Sequence, residues 1–465
     1  MSRGHGLFLA LLVSLSARAS SPPVLAEETK AEMSRLLDLA KRSSRALETV
    51  RSLTDEVGPR LAGSPGDAAA VAWAIRTMTA LGFSNVHSEP VLVPHWERGE
   101  EAARVVSPVS QRLVITALGG SVPTSPEGLE AEIVETDSLE ALGKLGEAVR
   151  GRVVFMNRRT ERTRDGSGYG TTSRLRVRGP SEAAKLGAVG YLLRSVGTAT
   201  TRVPHTGTLV YADGVARIPA AALPAPDADF LHRLLERKKP VRLRLTLGCR
   251  NLPDAESANV VGDVPGREKP EEIVVLGAHL DSWDLGQGAV DDGAGCAIVS
   301  EAARLVGALA RRPRRTLRVI LYANEENGAR GGKAYVEAHK GELARHVAAL
   351  EADSGAGRCY GFTYRIGAGS EAFVAALKAF LWPSGSGEAR DGEGGVDIGP
   401  LREAGVPAFG VRMDSTLYFD VHHSADDTFE KIDAADLDSG VGVAAALAYA
   451  VADLPEPLPR VPPEK

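Results

Sequence analysis

The chain has 465 residues, of which 43% are hydrophobic and 25% charged, and its formal net charge is −5. This length implies two or three folded units rather than one small core. A net charge this mildly acidic gives no reason to expect nucleic acid or an anionic membrane as partner, and no unbroken run of about 18 or more apolar residues follows the first twenty, so no internal membrane span is expected.

Residues 1–26 read as an export signal. Arg3 supplies the positive start, Leu7 to Leu15 an apolar core too short for a membrane span, and either Ala17-Arg18-Ala19 or Val24-Leu25-Ala26 a small-residue cleavage site. The protein is therefore expected to be secreted or periplasmic. Glu27 to Leu53 has helical periodicity, VGPRLAGSPG (Val57 to Gly66) is a turn-rich loop, Asp67 to Leu81 an amphipathic helix, and Asn85 to Pro94 an alternating strand. From about residue 101 to 248 short β-branched runs dominate, at Arg112 to Ala117, Ala131 to Val134, Arg152 to Met156 and Val189 to Leu193. This segment reads as a separate β-rich domain inserted into an α/β unit built from residues 27–100 and 249–453. Within it, Asn157 to Arg178 reads as a loop whose arginines (Arg158, Arg159, Arg162, Arg164, Arg174, Arg176, Arg178) either steer an anionic substrate or are simply solvated.

The α/β alternation then resumes, which predicts a mixed sheet with helices packed on it. Ile273 to Leu276 is a buried strand and Ala294 to Leu309 a helix, with GAHLDSWDLGQGAVDDGAG joining them. Thr316 to Ala323 is a strand running into NEENGARGG, Val347 to Leu350 one running into EADS, and Ala408 to Val411 one preceding VHHSADDT. The last helix is Ala434 to Val451, and the Pro-rich residues 454–465 are expected to be disordered. Cys249, Cys296 and Cys359 are scattered with no CxxC pair, so no disulfide framework is expected and any metal must rest on His and carboxylates.

Four strand ends thus present His279 with Asp291, Glu325 with Glu326, Asp353, and His423. Carboxylates gathered there repel one another and are costly to desolvate unless cations neutralise them. Histidines and carboxylates without thiolates suit divalent ions, zinc first. Five ligand candidates with one carboxylate to spare suit two ions sharing a bridge. Asp291 is the natural bridge, His279 and Asp353 complete one ion, and Glu326 and His423 the other. Asp281 is placed to accept the free ring N–H of His279. Glu325, the glutamate left over, is the general base for a water.

GAHLDSWDLGQGAVDDGAG, ANEENGARGG, EADSG and HHSADDT resemble the signatures of the co-catalytic zinc exopeptidases. GPRLAGSPG resembles that family's N-terminal loop, and GRVVFMNR with GAVGYLL its inserted protease-associated domain. The resemblance implies the zinc exopeptidase fold, two Zn²⁺ per chain, ligands His279, Asp291, Glu326, Asp353 and His423, and Glu325 as base. It implies that Asp292, Asp397 and Asp427 support the ligands or fix the loops that carry them. His422 either helps to stabilise the tetrahedral intermediate or only packs. Short peptides are the implied substrates, with carboxypeptidase or dipeptidase action set against an aminopeptidase and, behind both, a binding module that has lost catalysis. A homodimer is expected by family analogy alone.

Overall fold

The computed structural model describes residues 25–462, so the export signal lies almost wholly outside the described residues. One eight-stranded mixed sheet runs in the spatial order Ser84–Glu97, Arg250–Val264, Arg315–Tyr322, Lys269–His279, His346–Glu351, Ala408–Met413, Cys359–Arg365, Glu388–Asp391. Its centre is parallel: Lys269–His279 pairs in parallel with Arg315–Tyr322 on one side and His346–Glu351 on the other. Strands covered by helices on both faces are apolar throughout rather than alternating, and Ile273 to His279 is buried without a break. The carboxyl ends of these central strands deliver His279, the Glu325–Glu326 loop and Asp353 to one rim.

Helices Glu27–Ser43, Ala294–Gly307 and Ala434–Ala452 pack together on one face. Ala434–Ala452 starts where Asp433 accepts the amides of Ala435 and Asp436, both at 2.9 Å, the side-chain cap expected at a helix start. It is long and apolar enough to cross a membrane, yet it is buried inside the protein from Gly440 to Ala452.

The antiparallel pair Ser84–Glu97 and Arg250–Val264 carries the chain into and out of the insert. There Gly99 sits at φ 71°, and a Cβ on it would strike the Gly248 carbonyl oxygen at 2.3 Å. Residues 101–247 form a second eight-stranded sheet. Its middle is a small parallel α/β layer, Leu129–Thr136, Val153–Met156, Gly190–Arg194 and Ala220–Leu223, with helices Ser167–Lys185 and Ala225–Leu235.

Two expectations are corrected. The arginine-rich stretch is a loop only as far as Gly166; from Ser167 it is helical, despite its glycines and Pro180. Burial of Thr172, Leu175, Arg176 and Ala183 outweighs the poor propensity, and Gly179 admits the Tyr191 hydroxyl, which donates to the Leu175 carbonyl at 2.8 Å. The Pro-rich tail is ordered through residue 462. Leu454 and Leu458 join the core, Arg315 donates to the Leu454 carbonyl, and the Val461 amide donates to the Gly405 carbonyl at 3.1 Å. Proline composition removes helix and sheet donors but does not prevent apolar side chains between the prolines from packing.

Candidate active site

The loop after Lys269–His279 is held from several sides. Arg60, from the VGPRLAGSPG loop and fully buried, donates to the carbonyls of Leu280, Gln287 and Gly288. Asp427 accepts the amides of Val290 at 2.7 Å and Asp291 at 3.1 Å. Asp292 accepts those of His279 at 3.2 Å and Gly295 at 2.9 Å. Both of these aspartates are therefore loop-fixing groups, while Asp291 is left with its carboxylate turned the other way.

That carboxylate lies between two sets of histidines. One oxygen is 3.3 Å from His279 Nε2; the other is 3.3 Å from Nε2 of both His422 and His423. His279 Nε2 is 3.8 Å from Asp353, and His423 Nε2 is 2.8 Å from Glu326. The site thus gathers all five sequence-derived ligand candidates. Asp291 Oδ2 and Glu326 Oε1 are buried without a hydrogen bond, the condition of oxygens that lack a cation rather than a donor. Two groups of donor atoms lie close enough to hold an ion, Asp291 with His422 and His423, and His279 with Asp292 and Asp353. In the second group Asp292 already spends both oxygens on amides, so Asp291 is the better partner for His279.

Asp281 has a different role from the one expected. His279 Nδ1 is 3.0 Å from the Asp281 backbone carbonyl but 3.8 Å from its carboxylate. The carboxylate instead accepts the amides of Glu325 at 3.0 Å and Glu326 at 3.4 Å. The carbonyl sets the His279 tautomer and the side chain sets the glutamates. Asp397 also departs from expectation: both its oxygens are buried without a hydrogen bond, and Glu351 fixes that loop by accepting the amides of Val396 and Ile398 at 2.9 and 2.8 Å.

Burial is the leading electrostatic fact. It holds Glu325 well above the usual carboxylate range, with Asp353 and Glu326 adding to the effect against His279. It raises Glu326 and Asp353 as well. Burial also opposes charge on Asp291, but His422, His279 and His423 outweigh it and pull the carboxyl well below its ordinary value. His422 is held well below the usual imidazole value by burial, then by His423. Its ring stacks on His423 at 3.6 Å between centroids and is boxed by Tyr169, Tyr418 and Phe419.

The insert reaches this site directly. The Thr206 amide donates to the His423 carbonyl at 2.9 Å, and His423 Nδ1 lies 3.4 Å from the Thr206 carbonyl. Arg98 grips Asp284 through both carboxylate oxygens and Thr206 Oγ1 at 3.3 Å. Of the seven arginines singled out above, only Arg176 stands beside a metal-ligand candidate, buried and 3.4 Å from His423 Nδ1. Arg162 and Arg164 instead pin the insert to Asp420, Asp414 and Glu388, and Arg174 and Arg178 are exposed. Arg330 is committed to Asp254 at 2.6 Å. Arg60 and Thr206 carry no sequence signal of these roles, since each acts through a contact distant in the chain.

The model of peptidase family M28 matches residues 259–448. Mouse carboxypeptidase Q is 36% identical over 98% of this chain and 100% of its own length. The peptidase M28 precursor of Shewanella amazonensis SB2B superposes with a TM-score of 0.91 at 44% identity, covering 94% of this chain and 99% of that one. An aminopeptidase from Aneurinibacillus sp. strain AM-1 shares the fold, with a TM-score of 0.63 at 22% identity over 91% of this chain and 97% of its own. Identity spread over almost the whole length, on a fold that brings the acidic and histidine strand ends together, places the chain in peptidase family M28, and it is a zinc-dependent metallopeptidase.

Proposed function

We propose that the chain is a secreted or periplasmic dizinc exopeptidase of carboxypeptidase or dipeptidase type, acting on unblocked dipeptides or short peptides. The observation that carries the reading is the Asp291 carboxylate, one oxygen facing His279 and the other His423. His279 and Asp353 would hold one zinc and Glu326 and His423 the other, with Asp291 shared. Zinc at such a site supplies Lewis acidity, making water acidic and polarising a carbonyl. Residues 101–248 are the family's protease-associated-like insertion.

Glu325 is the proton carrier. Its amide is fixed by Asp281 while its carboxylate stays outside the ligand set. It takes a proton from the attacking water as oxygen bonds to the scissile carbonyl carbon. It returns the proton to the amide nitrogen as the C–N bond breaks, leaving a carboxylic acid and an amine, which part as carboxylate and ammonium once the acid proton passes to the amine. His422, neutral and 3.3 Å from Asp291, is placed to donate a hydrogen bond to the oxygen of the tetrahedral intermediate.

The test is a panel of dipeptides and tripeptides with free or blocked ends. Cleavage that disappears on C-terminal amidation supports the reading. Faster cleavage of aminoacyl anilides, indifferent to amidation, replaces it with an aminopeptidase.

A further inference from the structure

The chain has four tryptophans, and the indole N–H groups of three are accounted for. Trp73 donates to Ser52 Oγ at 2.9 Å, Trp96 donates to the Ser121 carbonyl at 3.1 Å, and Trp382 stands 69% exposed to water. Trp283 is the exception. It is buried, and its Nε1 has no hydrogen-bond partner among the described residues. An indole N–H can only donate, and a buried one usually finds an acceptor. The six-membered edge of the ring is the part that meets Gly119 of the insert, so the N–H is not spent on that side.

The cavity that Trp283 lines marks out the acceptor. It measures about 10 Å³, the room of one water. Asp291, Glu326 and His423 share its wall, and the indole lies beside His423 with ring centroids 5.7 Å apart. Glu326 Oε2 faces His423 Nε2 at 2.8 Å, whereas Oε1 is buried without a hydrogen bond. An ion shared with His423 would take one lone pair of the carboxylate, and each carboxylate oxygen has two, so Oε1 has room for a donor as well. Among the described residues, no other side chain in the wall has a donor to spare. The Ser424 hydroxyl donates to the Val421 carbonyl at 2.6 Å, His423 Nδ1 faces the Thr206 carbonyl, and Asp427 accepts two amides. One small cavity thus brings together an N–H without an acceptor and a carboxylate oxygen without a donor.

We propose that Trp283 is a positioning residue for Glu326: its indole N–H donates to a single water in this cavity, and that water donates to Glu326 Oε1. Held from this side, Glu326 keeps Oε2 turned toward His423. The proposal rests on the reading of Glu326 and His423 as ligands of one zinc, and it adds the contact that fixes the rotation of the glutamate.

The experiment compares wild type with Trp283→Phe, which keeps an aromatic ring in the loop and removes the N–H. It measures the two zinc affinities by competition with a chelator, and the indole N–H resonances by nuclear magnetic resonance with and without zinc. We expect one zinc affinity to fall about ten-fold or more in Trp283→Phe, the usual cost of losing a group that supports a metal ligand, with the other unchanged. In wild type one indole resonance should shift and resist exchange when zinc is added, and Trp283→Phe should lack it. If Trp283→Phe fails to fold, the wild-type spectrum decides, because the other three indoles already have a partner or solvent. A variant that holds both zincs as tightly as wild type, or a wild type whose indoles do not respond to zinc, overturns the positioning role and leaves the ligand reading standing. Glu326→Ala with both zinc affinities intact overturns the ligand reading and this proposal with it.

Discussion

Gly119 of the insert and Trp283 of the metal-site loop are in direct contact, so close that a Cβ on Gly119 would lie 1.9 Å from the indole. Trp283 is buried in the apolar cluster of the insert, edge-on to Trp96 with centroids 6.5 Å apart. The loop between His279 and Asp291 is thereby socketed into the second domain. Gly119→Ala should force the indole out of place, and overpacking of this kind costs about 1–3 kcal/mol. We expect a lower thermal midpoint together with weaker zinc retention against a chelator, both partly restored in Gly119→Ala/Trp283→Phe. An unchanged midpoint and unchanged zinc retention in the single variant would show that the socket does not hold the loop.

Asp291→Ala removes the one carboxylate that faces both histidine sets. Both metal positions should empty together, leaving well under one zinc per chain by elemental analysis. Retention of a full complement would reassign the bridge.

Glu325→Gln should keep the metals and lose turnover by about 10²–10⁴-fold, the usual size of a general-base contribution. Glu326→Gln, by contrast, should weaken one metal position, since its carboxylate meets His423 at 2.8 Å. Near-normal activity in Glu325→Gln with lost zinc would reverse the two roles.

His346, fully buried at the start of its strand, gives the fold an acid limit. The Tyr335 hydroxyl donates to Nε2 at 2.8 Å and Nδ1 donates to the Glu342 carbonyl at 3.3 Å, which fixes the neutral ring. Burial, set against that carbonyl bond and helped by Arg318, pushes its pKa from 6.5 down to about 4. Below pH 6.5 the unfolded chain takes up a proton that the folded ring refuses. Stability present above that value is therefore lost as the pH falls toward the folded-state value, by about 3 kcal/mol in all. In urea titrations the stability gap between wild type and His346→Gln should narrow by that amount on acidification. A gap that does not change with pH would disprove the assignment.

Leu25 is buried in the main core cluster. Cleavage after Ala26 would remove it, whereas cleavage after Ala19 would keep it. N-terminal sequencing of the exported protein should therefore find a start ahead of Leu25; a start at Glu27 would show that this contact is dispensable.

The parts of the fold legible in the sequence were those whose physics is local. Ile273 to Leu276 announces a buried strand by its unbroken apolar run, and Ala434 to Val451 a helix by its composition; both stand within a few residues of their observed limits. The strand Arg250–Val264 was not legible, because its first half is polar and contains Pro253; it is a strand through pairing with Ser84–Glu97. The helical arginines were misread for the same reason, since tertiary burial of Leu175 and Arg176 settles that segment. At the site, His279, Glu325, Glu326 and Asp353 stand at or just past strand ends, which a sequence pattern can mark, whereas Asp291 and His423 lie farther along their loops, His423 after the short helix Tyr418–Val421. The supporting contacts of Arg60, Thr206 and Trp283 were invisible, because a backbone carbonyl or a missing Cβ leaves no chemical mark in a sequence.

The first described helix, Glu27–Ser43, lies against Ala434–Ala452, and Thr29 Oγ1 donates to Asp453 at 2.7 Å. The two ends of the catalytic unit therefore close on each other like a clasp, across more than four hundred residues of intervening chain. A nascent chain that lacks the distal helix leaves the proximal one without its largest packing surface, so the clasp closes only once the last helix of the chain is present.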